Sequence, residues 1–263
     1  MMNRVLSYTT LFIVVTILII STPFSLVYAK SPWERWRPLI AGIRINGIGG
    51  GCPPNICDRW YMEGSYYASI GFKARYSGKI GFVTAGHFAV AISGIVYQPS
   101  AGYPGGSKVG EVKFIKLDDC YDVAFVEITE PDVNIHSKVY SEISITNYDY
   151  ITDIKYMSQL KEDNGSVIKV GYRTEVTAGK IIRFGSLPDC PFETIVIANY
   201  KSDMGDSGGF VGSVKKVYRP DYPKDMYVYG IHLGRLWEGS AERIFLALDY
   251  IQIHNIYVDF SNW

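Results

Sequence analysis

A short glycine-rich segment of this 263-residue chain places a serine in a setting suited to nucleophilic chemistry. Ser207 follows Asp206 and precedes Gly208-Gly209. Glycines permit the positive φ values of a tight turn, which pushes a hydroxyl outward and leaves backbone N–H groups free. We predict that the N–H groups of Gly205 and Ser207 form an oxyanion hole, which would stabilise the charge that develops during acyl transfer. A glycine-rich surface turn is the alternative interpretation.

A histidine and a carboxylate are available to activate this serine. The apolar segment Gly81–His87 ends in small residues and an imidazole, so we expect His87 at the end of a β-strand beside a cleft. Asp122 directly precedes the apolar residues Val123–Val126, whereas the two aspartates earlier in its loop are expected in solvent. His87 would take the proton of Ser207, and Asp122 would accept a hydrogen bond from Nδ1 of His87.

The chain has only four histidines, so few residues compete for the role of base. His136 lies in a polar connecting segment, and His254 lies in a segment with helical spacing. We expect both to be solvated or packed, without a catalytic role.

The motifs TAGH, DxA and GDSGG, which contain His87, Asp122 and Ser207 in that order, resemble those of the chymotrypsin-like serine proteases. The segment Ala68–His87 is most similar to the bacterial branch that includes the streptogrisins, α-lytic protease and the glutamyl endopeptidases. The resemblance spans approximately residues 66–256. It implies an all-β fold of two six-stranded antiparallel barrels with a short C-terminal helix. It also implies an endopeptidase that cleaves proteins or peptides through an acyl-enzyme on Ser207, with no cofactor and no metal.

Composition also favours an all-β chain, because 26 glycines, 21 tyrosines and short β-branched runs alternate with turn residues. The predicted organisation begins with a signal peptide or signal anchor over residues 1–29 and a lead-in segment over residues 30–65, of which Arg37–Gly47 is expected along the barrel surface. An N-terminal barrel over residues 66–137 and a C-terminal barrel with a terminal helix over residues 138–263 follow.

Several individual elements are predicted around the barrels. We expect a strand over Ala89–Tyr97, an irregular crossing between the barrels over Pro131–Tyr150, and a strand over Ile151–Met157. Asp249 precedes the helical spacing of the terminal segment, so we expect it to cap that helix.

The charge balance and the N-terminus bear on partners and location. With no net formal charge, the sequence favours neither nucleic acid nor an anionic membrane surface as a partner. Arg4, the apolar Leu11–Ile20 and the sequence Val27-Tyr28-Ala29 are typical of a signal peptide that is cleaved after Ala29. An uncleaved signal anchor is the alternative, and it alone would tie the protein to a membrane. We expect an exported monomer.

Four cysteines in an exported chain indicate disulfides rather than a metal site. Of the three possible connectivities, we favour Cys52 with Cys57, which closes a small loop around Pro53-Pro54, and therefore Cys120 with Cys190. The other two connectivities remain open.

The resemblance extends to residues around the nucleophile. A carboxylate next to the nucleophile is buried in such folds, so Asp206 needs a cationic partner, which we predict to be an internal arginine. The walls of the specificity pocket would include Lys201, Gly230, His232 and Gly234.

Two specificities follow from these walls. The sequence Gly230-Ile231-His232 resembles that of glutamyl endopeptidases, whose histidine contacts an acidic P1 side chain, and Arg235 and Arg243 would add positive charge nearby. Alternatively, Lys201 faces solvent and His232 binds a backbone group, which would leave a small apolar pocket. At the level of function, an esterase with the same triad and a catalytically silent binding protein are the alternatives to an endopeptidase.

Overall fold

In a computed structural model, the described residues are 31–32, 34–49, 67–99, 106–144, 146–163, 165–187, 189–236 and 240–261. They form seventeen strands and three short helices. The strands are β1 (Leu39–Ala41), β2 (Arg44–Gly47), β3 (Tyr67–Ser69), β4 (Phe72–Tyr76), β5 (Lys79–Thr84), β6 (Ile95–Gln98), β7 (Ser107–Leu117), β8 (Asp122–Ile128), β9 (Ile135–Tyr140), β10 (Tyr148–Ile154), β11 (Ser166–Gly171), β12 (Glu175–Gly185), β13 (Ile195–Ala198), β14 (Phe210–Lys216), β15 (Asp225–Arg235), β16 (Arg243–Ala247) and β17 (Ile256–Val258). The helices are α1 (Gly86–Ala91), α2 (Met157–Asp163) and α3 (Leu248–Gln252).

The second half of the chain forms a closed antiparallel barrel. Its strands follow the order β15, β14, β11, β12, β13 and β16, and the pairing of β15 with β16 closes the circle. The strands carry inward-facing aliphatic side chains, and strand β16 is buried along its whole length. The six-stranded C-terminal barrel predicted from the sequence is therefore confirmed.

The first half forms a second curved sheet in the order β4, β5, β8, β7, β6, β2 and β3. Strands β3 and β4 lie at opposite ends of this order but are separated in the chain by only Ile70 and Gly71. At this bend, the N–H of Ile70 donates to the carbonyl of Ile43, and the N–H of Gly71 donates to the carbonyl of Val83. One bent segment of chain, β3–Ile70–Gly71–β4, therefore supplies both end strands of this curved sheet.

The two sheets exchange their end strands. Strand β1 precedes the first barrel in the chain but pairs with β9 in the sheet of the second barrel. Strand β17 follows the second barrel but pairs with β4 in the first. Lys73, on β4, donates to the carbonyl and hydroxyl of Ser261, and Arg75 pairs with Asp259 at 2.9 Å. Side-chain contacts therefore reinforce the β17 pairing.

The segment before the first barrel is part of the core, so the expectation that it lies along the barrel surface is wrong. Leu39, Ile43 and Ile45 are fully buried, and β1 and β2 belong to different sheets. The physical reason is the run of aliphatic residues between Pro38 and Gly47, which has too much apolar area to remain in solvent.

Three expected elements differ in the structure. Ala89–Tyr97 is not one strand, because α1 occupies its first residues and β6 begins only at Ile95. The crossing between the barrels is not irregular, since it contains β9 and the start of β10. The strand expected to end at Met157 stops at Ile154, and Met157 begins α2.

The terminal helix is shorter than expected and begins two residues earlier, at Leu248. Ala247 is its N-cap residue, and Asp249 lies in its first turn. The Asp249 carboxylate instead accepts a hydrogen bond of 2.8 Å from the N–H of Met157, which is the first residue of α2. Asp249 therefore caps a helix that is distant in the sequence, and its expected role at its own helix is wrong.

The disulfide between Cys120 and Cys190 is confirmed and joins the two barrels. Aromatic contacts surround it, since Tyr121 lies against Phe192 and Phe192 stacks on Tyr250. The other predicted pair, Cys52 with Cys57, lies outside the described residues, as does the predicted signal segment 1–29. None of the helices in the described part of the chain has the length and apolar character needed to cross a membrane.

Candidate active site

His87 and Asp122 form a buried pair at the edge of the first barrel. Nδ1 of His87 lies 2.8 Å from Oδ2 of Asp122, and the backbone N–H of His87 donates to Oδ1 at 2.9 Å. Both side chains are almost completely buried. One carboxylate therefore fixes both the backbone and the ring of the histidine.

The pairing of neighbouring strands brings these two residues together. Strand β5 pairs with β8, with Thr84 opposite Ala124. His87 follows the end of β5, and Asp122 begins β8, so both lie at the same end of the strand pair. A side chain at Gly86 would collide with this arrangement, because a Cβ there would lie 2.9 Å from the N–H nitrogen of Val123 and 3.1 Å from Oδ1 of Asp122.

Ser207 lies in a tight turn that enters β14. The N–H of Asp206 donates to the carbonyl of Asp203, and the N–H of Gly209 donates to the carbonyl of Asp206. Gly205 and Gly208 adopt φ values of +93° and +79°, which side chains disfavour. The serine hydroxyl donates to the carbonyl of Leu233 at 3.3 Å and makes no hydrogen bond to His87.

Ser69 connects the first barrel to this turn, and it was missed by reasoning from the sequence. Its N–H donates to the carbonyl of Ser207, and its hydroxyl donates to the carbonyl of Gly205, both at 2.9 Å. The same hydroxyl accepts a hydrogen bond from the N–H of Tyr172. Nothing in the local sequence around Ser69 signals these contacts.

The backbone N–H groups predicted to form the oxyanion hole are available in the structure. Those of Gly205 and Ser207 donate to no group within the part of the chain that the structure describes, whereas the N–H of Gly208 donates to the carbonyl of His232. Binding both Gly205 and Ser207 carbonyls to Ser69 fixes the orientation of the peptide units in this turn. Two free donors beside a serine hydroxyl are the arrangement that acyl transfer requires.

The partner of Asp206 is Lys169, so the prediction of an internal arginine is wrong. The two charged groups are 2.8 Å apart, and both side chains are fully buried. Thr174 donates its hydroxyl to the same carboxylate at 2.6 Å, and the N–H groups of Arg173 and Thr174 donate to its other oxygen. A lysine suits the site because Asp206 receives enough donors from its surroundings to need only a point charge.

These contacts set the protonation of the pair. Burial alone would raise the pKa of Asp206, but the Lys169 charge and the Thr174 hydroxyl hold that pKa below its ordinary value. Burial lowers the pKa of Lys169, and the Asp206 carboxylate opposes this effect. Lys169 and Asp206 therefore form a buried ion pair.

The four residues expected in the pocket walls have different environments. Gly230 and Gly234 lie on β15, which also carries the fully buried His232. The Nδ1 atom of His232 lies 2.9 Å from the hydroxyl of Tyr200. Lys201 is exposed, and its carbonyl accepts a hydrogen bond from Thr177.

Of the two arginines expected to add positive charge near the pocket, Arg235 is exposed, whereas Arg243 is buried near this histidine. Arg243 is 9% exposed, donates to the carbonyl of Ser240, and has a buried Nε without a hydrogen-bond partner. Burial lowers the pKa of His232 to about 3, with smaller contributions from nearby cations that include Arg243. His232 is therefore neutral at physiological pH.

No group of three or more potential metal ligands occurs in the described ranges. The groups at this site that could act chemically are the Ser207 hydroxyl, the His87 imidazole and the backbone N–H groups of Gly205 and Ser207.

The fold that surrounds these residues is that of the bacterial chymotrypsin-like serine proteases. Thermobifida fusca protease A aligns over 84% of this chain and 97% of its own, with 18% identity and a TM-score of 0.56. A glutamic acid specific serine protease, described as using a novel histidine triad in substrate binding, aligns over 84% and 100%, with 21% identity and a TM-score of 0.58.

A third solved structure, Nocardiopsis protease, aligns over 84% of this chain and 98% of its own, with 19% identity and a TM-score of 0.54. No protein-family model matches the sequence, and no curated protein matches it. The likeness is therefore one of fold, and it confirms the resemblance seen in the motifs.

Proposed function

We propose that this protein is an exported serine endopeptidase in which Ser207, His87 and Asp122 form the catalytic triad. The observation that carries the proposal is the buried His87–Asp122 pair together with a serine turn whose Gly205 and Ser207 N–H groups are free. A binding protein would have no physical need for a nucleophile, an oriented base and two unused donors in one place.

In the proposed reaction, Nε2 of His87 accepts the Ser207 proton as Oγ attacks the scissile carbonyl carbon. The N–H groups of Gly205 and Ser207 bind the resulting oxyanion. The C–N bond breaks as the imidazolium returns its proton to the leaving amine, which produces an ester on Ser207. Water then attacks this ester while His87 takes one of its protons. The imidazolium returns that proton to Oγ of Ser207 as the ester C–O bond breaks, which releases the carboxylic acid and restores the free serine.

This reaction requires one local movement. The Ser207 hydroxyl now donates to Leu233, and it must rotate toward His87 before it can transfer its proton. Such loose geometry is common before substrate binds. The buried Asp122 fixes the imidazole for that encounter, because it accepts from both the ring and the backbone of His87.

Labelling with a fluorophosphonate probe tests the proposal directly. We expect residues 30–263 to label at Ser207 and to cleave peptides, and Ser207→Ala or His87→Ala to lose roughly a millionfold in kcat, as in the best-studied protease. Ser202→Ala is a matched control, since Ser202 is a buried serine in the same segment. Peptide cleavage at the wild-type rate by Ser207→Ala would overturn the triad, and labelling with hydrolysis of esters alone would favour the esterase.

We also propose that the enzyme prefers an acidic side chain at P1. With Nδ1 of His232 facing the Tyr200 hydroxyl, Nε2 can donate a hydrogen bond to a carboxylate. Arg243 adds a buried positive charge near the same ring. The glutamic acid specific relative supports this preference, although here Tyr200 contacts His232 and the other two non-catalytic histidines lie elsewhere.

The support for this preference comes from His232 and Arg243 rather than from Lys201, which is exposed. A scan of chromogenic peptides that differ only at P1 tests it. We expect Glu to exceed Gln, and the His232→Gln variant to lose most of that difference. Faster cleavage after Phe, Leu or Ala would instead support a small apolar pocket.

Export with removal of residues 1–29 is part of the same proposal. The Cys120–Cys190 disulfide supports an oxidising compartment. Mass spectrometry of the native product should find Lys30 at the N-terminus. Recovery of the full-length chain from washed membranes would favour the signal anchor.

A further inference from the structure

An arginine of the first barrel stands beside the serine turn with unused donors. The guanidinium carbon of Arg44 lies 4.2 Å from the centroid of the Tyr67 ring and 5.6 Å from that of Tyr172. The side chain is partly exposed, but its Nε atom is buried and has no hydrogen-bond partner. Among the described residues, Arg44 pairs with no carboxylate.

The register of β2 and β3 explains why Arg44 faces the site. Arg44 lies opposite Ser69 in this antiparallel pair, and Asn46 lies opposite Tyr67. Opposed residues share a face of the sheet, as do residues two apart on one strand. Arg44, Tyr67 and Ser69 therefore project from the same face, and the Ser69 hydroxyl binds the carbonyl of Gly205.

Tyr172 completes this cluster from the second barrel. A Cβ atom at Gly205 would lie 2.3–2.6 Å from three atoms of the Tyr172 ring and hydroxyl, so the ring packs directly on the oxyanion turn. Arg44 thus lies one aromatic ring away from the atoms proposed to bind the oxyanion.

The location of the cluster assigns it to the leaving-group half of a substrate. The Ser207 hydroxyl faces Leu233 on β15, the strand along which the acyl half is expected to lie. The carbonyls of Ser207 and Gly205 are bound by Ser69 of β3, which belongs to the first barrel. A peptide substrate runs past Ser207 as one extended chain. If its acyl half lies along β15, its leaving-group half lies over β2 and β3.

We propose that Arg44, Tyr67 and Tyr172 form a subsite for an acidic side chain in the leaving-group half of the substrate. The subsite rests on the proposed peptidase function. A carboxylate would accept the guanidinium hydrogens, while the two rings hold the guanidinium plane in place. The neighbouring Arg173 already has a carboxylate at 3.9 Å, in Asp203, so Arg44 is the cation that offers open donors.

Internally quenched peptides with an identical acyl half test the proposal. They carry Glu or Gln at the first or second position after the scissile bond. We expect kcat/KM for Glu to exceed that for Gln at one position by roughly tenfold, as for a partly exposed charge-assisted hydrogen bond. The Arg44→Gln variant should bring the ratio of Glu to Gln peptides to about one.

Two further variants separate this role from effects on folding. Arg183→Gln is the matched control, because Arg183 is a surface arginine paired with Glu242 on the second barrel, and it should keep the wild-type ratio. Arg44→Lys keeps the charge but loses the planar fork, and we expect an intermediate ratio. Thermal unfolding should be measured for each variant.

The outcomes distinguish the subsite from the function on which it rests. A wild-type ratio of one with normal fluorophosphonate labelling would overturn the subsite alone, as would an unchanged ratio in folded Arg44→Gln. Failure of the wild type to label or to cleave any peptide would overturn the proposed function and the subsite with it.

Discussion

Asp206 depends on one buried cation, Lys169, and this dependence links the placement of charge to the proposed active site. With both side chains fully buried, removal of Lys169 would leave an uncompensated carboxylate directly before Ser207. Such losses cost roughly 3–5 kcal/mol. Asp206 lies in the turn that presents the Gly205 and Ser207 N–H groups. Loss of Lys169 should therefore lower the stability of the protein and also disturb the positions of these two proposed oxyanion-hole donors.

We therefore expect Lys169→Met to lower the free energy of unfolding by roughly 3–5 kcal/mol and to slow labelling of Ser207. Lys169→Arg should retain much of both, because it preserves the charge. Chemical denaturation and labelling rates at a temperature where each variant is folded provide the measurements. Lys180→Met is the control, since Lys180 is exposed on the next strand. Wild-type labelling by Lys169→Met would contradict this role for the ion pair.

At this scale, the sequence predicted what local motifs can encode. His87, Asp122 and Ser207 each stand in a short segment with its own turn or strand pattern, and in the structure Nδ1 of His87 lies 2.8 Å from Oδ2 of Asp122. Ser69 and Lys169 carry no such signal. Their partners lie 136 and 37 residues away, so only the folded chain reveals them.

At the scale of secondary-structure elements, the start of β12 carries an unusual carboxyl pair. Burial, together with the neighbouring Glu142, raises the pKa of Glu175 from 4.5 to about 7, and the Lys169 charge opposes this rise only in part. A carboxyl group whose pKa is raised by folding favours the folded state while it is protonated. Its contribution is complete below pH 4.5 and is lost as the pH rises through about 7.

We expect Glu175→Gln to become progressively more stable relative to the wild type as the pH rises from about 5 to 8. The amide imitates the protonated acid and does not titrate. Urea denaturation of both proteins across this range measures the difference. Glu162→Gln, on the exposed face of α2, should show no comparable trend. A stability difference that does not vary with pH would rule out titration of Glu175 as its source.

The elements that differed from expectation share a physical cause. Helix α1 is short and buried at five of its six positions, so its sequence has no polar face and reads like an apolar strand. Strand β9 contains His136 and Lys138 among its apolar residues, so it reads like a polar connection. Asp249 precedes a helical pattern, but the helix that it caps begins 92 residues away. In all three cases, tertiary contacts rather than the local sequence pattern determine the observed structure.

At the scale of the whole molecule, the proposed catalytic groups are divided between the barrels, and the Cys120–Cys190 bond joins the two halves close to them. Cys120 lies two residues before Asp122, and its partner lies 70 residues away in the second barrel. Strands β1 and β17 also cross between the sheets. Each sheet therefore carries one edge strand from the other end of the chain.

We expect the double variant Cys120→Ser, Cys190→Ser to lose about 4 kcal/mol of stability, the loop-entropy value for a loop of this length. Unfolding should remain a single transition, because the exchanged strands still couple the barrels. Denaturation followed by both tyrosine fluorescence and circular dichroism measures both features. The wild type after reduction and alkylation should match the variant. Two separate transitions would show that the barrels unfold independently.

The exchange of β17 also sets an order of events during synthesis. Strand β4 leaves the ribosome early, yet the strand that covers its outer edge is made only after the whole second barrel. Until then, β4 presents unpaired backbone groups, which are a template for pairing with other chains. A chain that ends before Ile256–Val258 would therefore leave the β4 edge of the first barrel open to pairing with other chains.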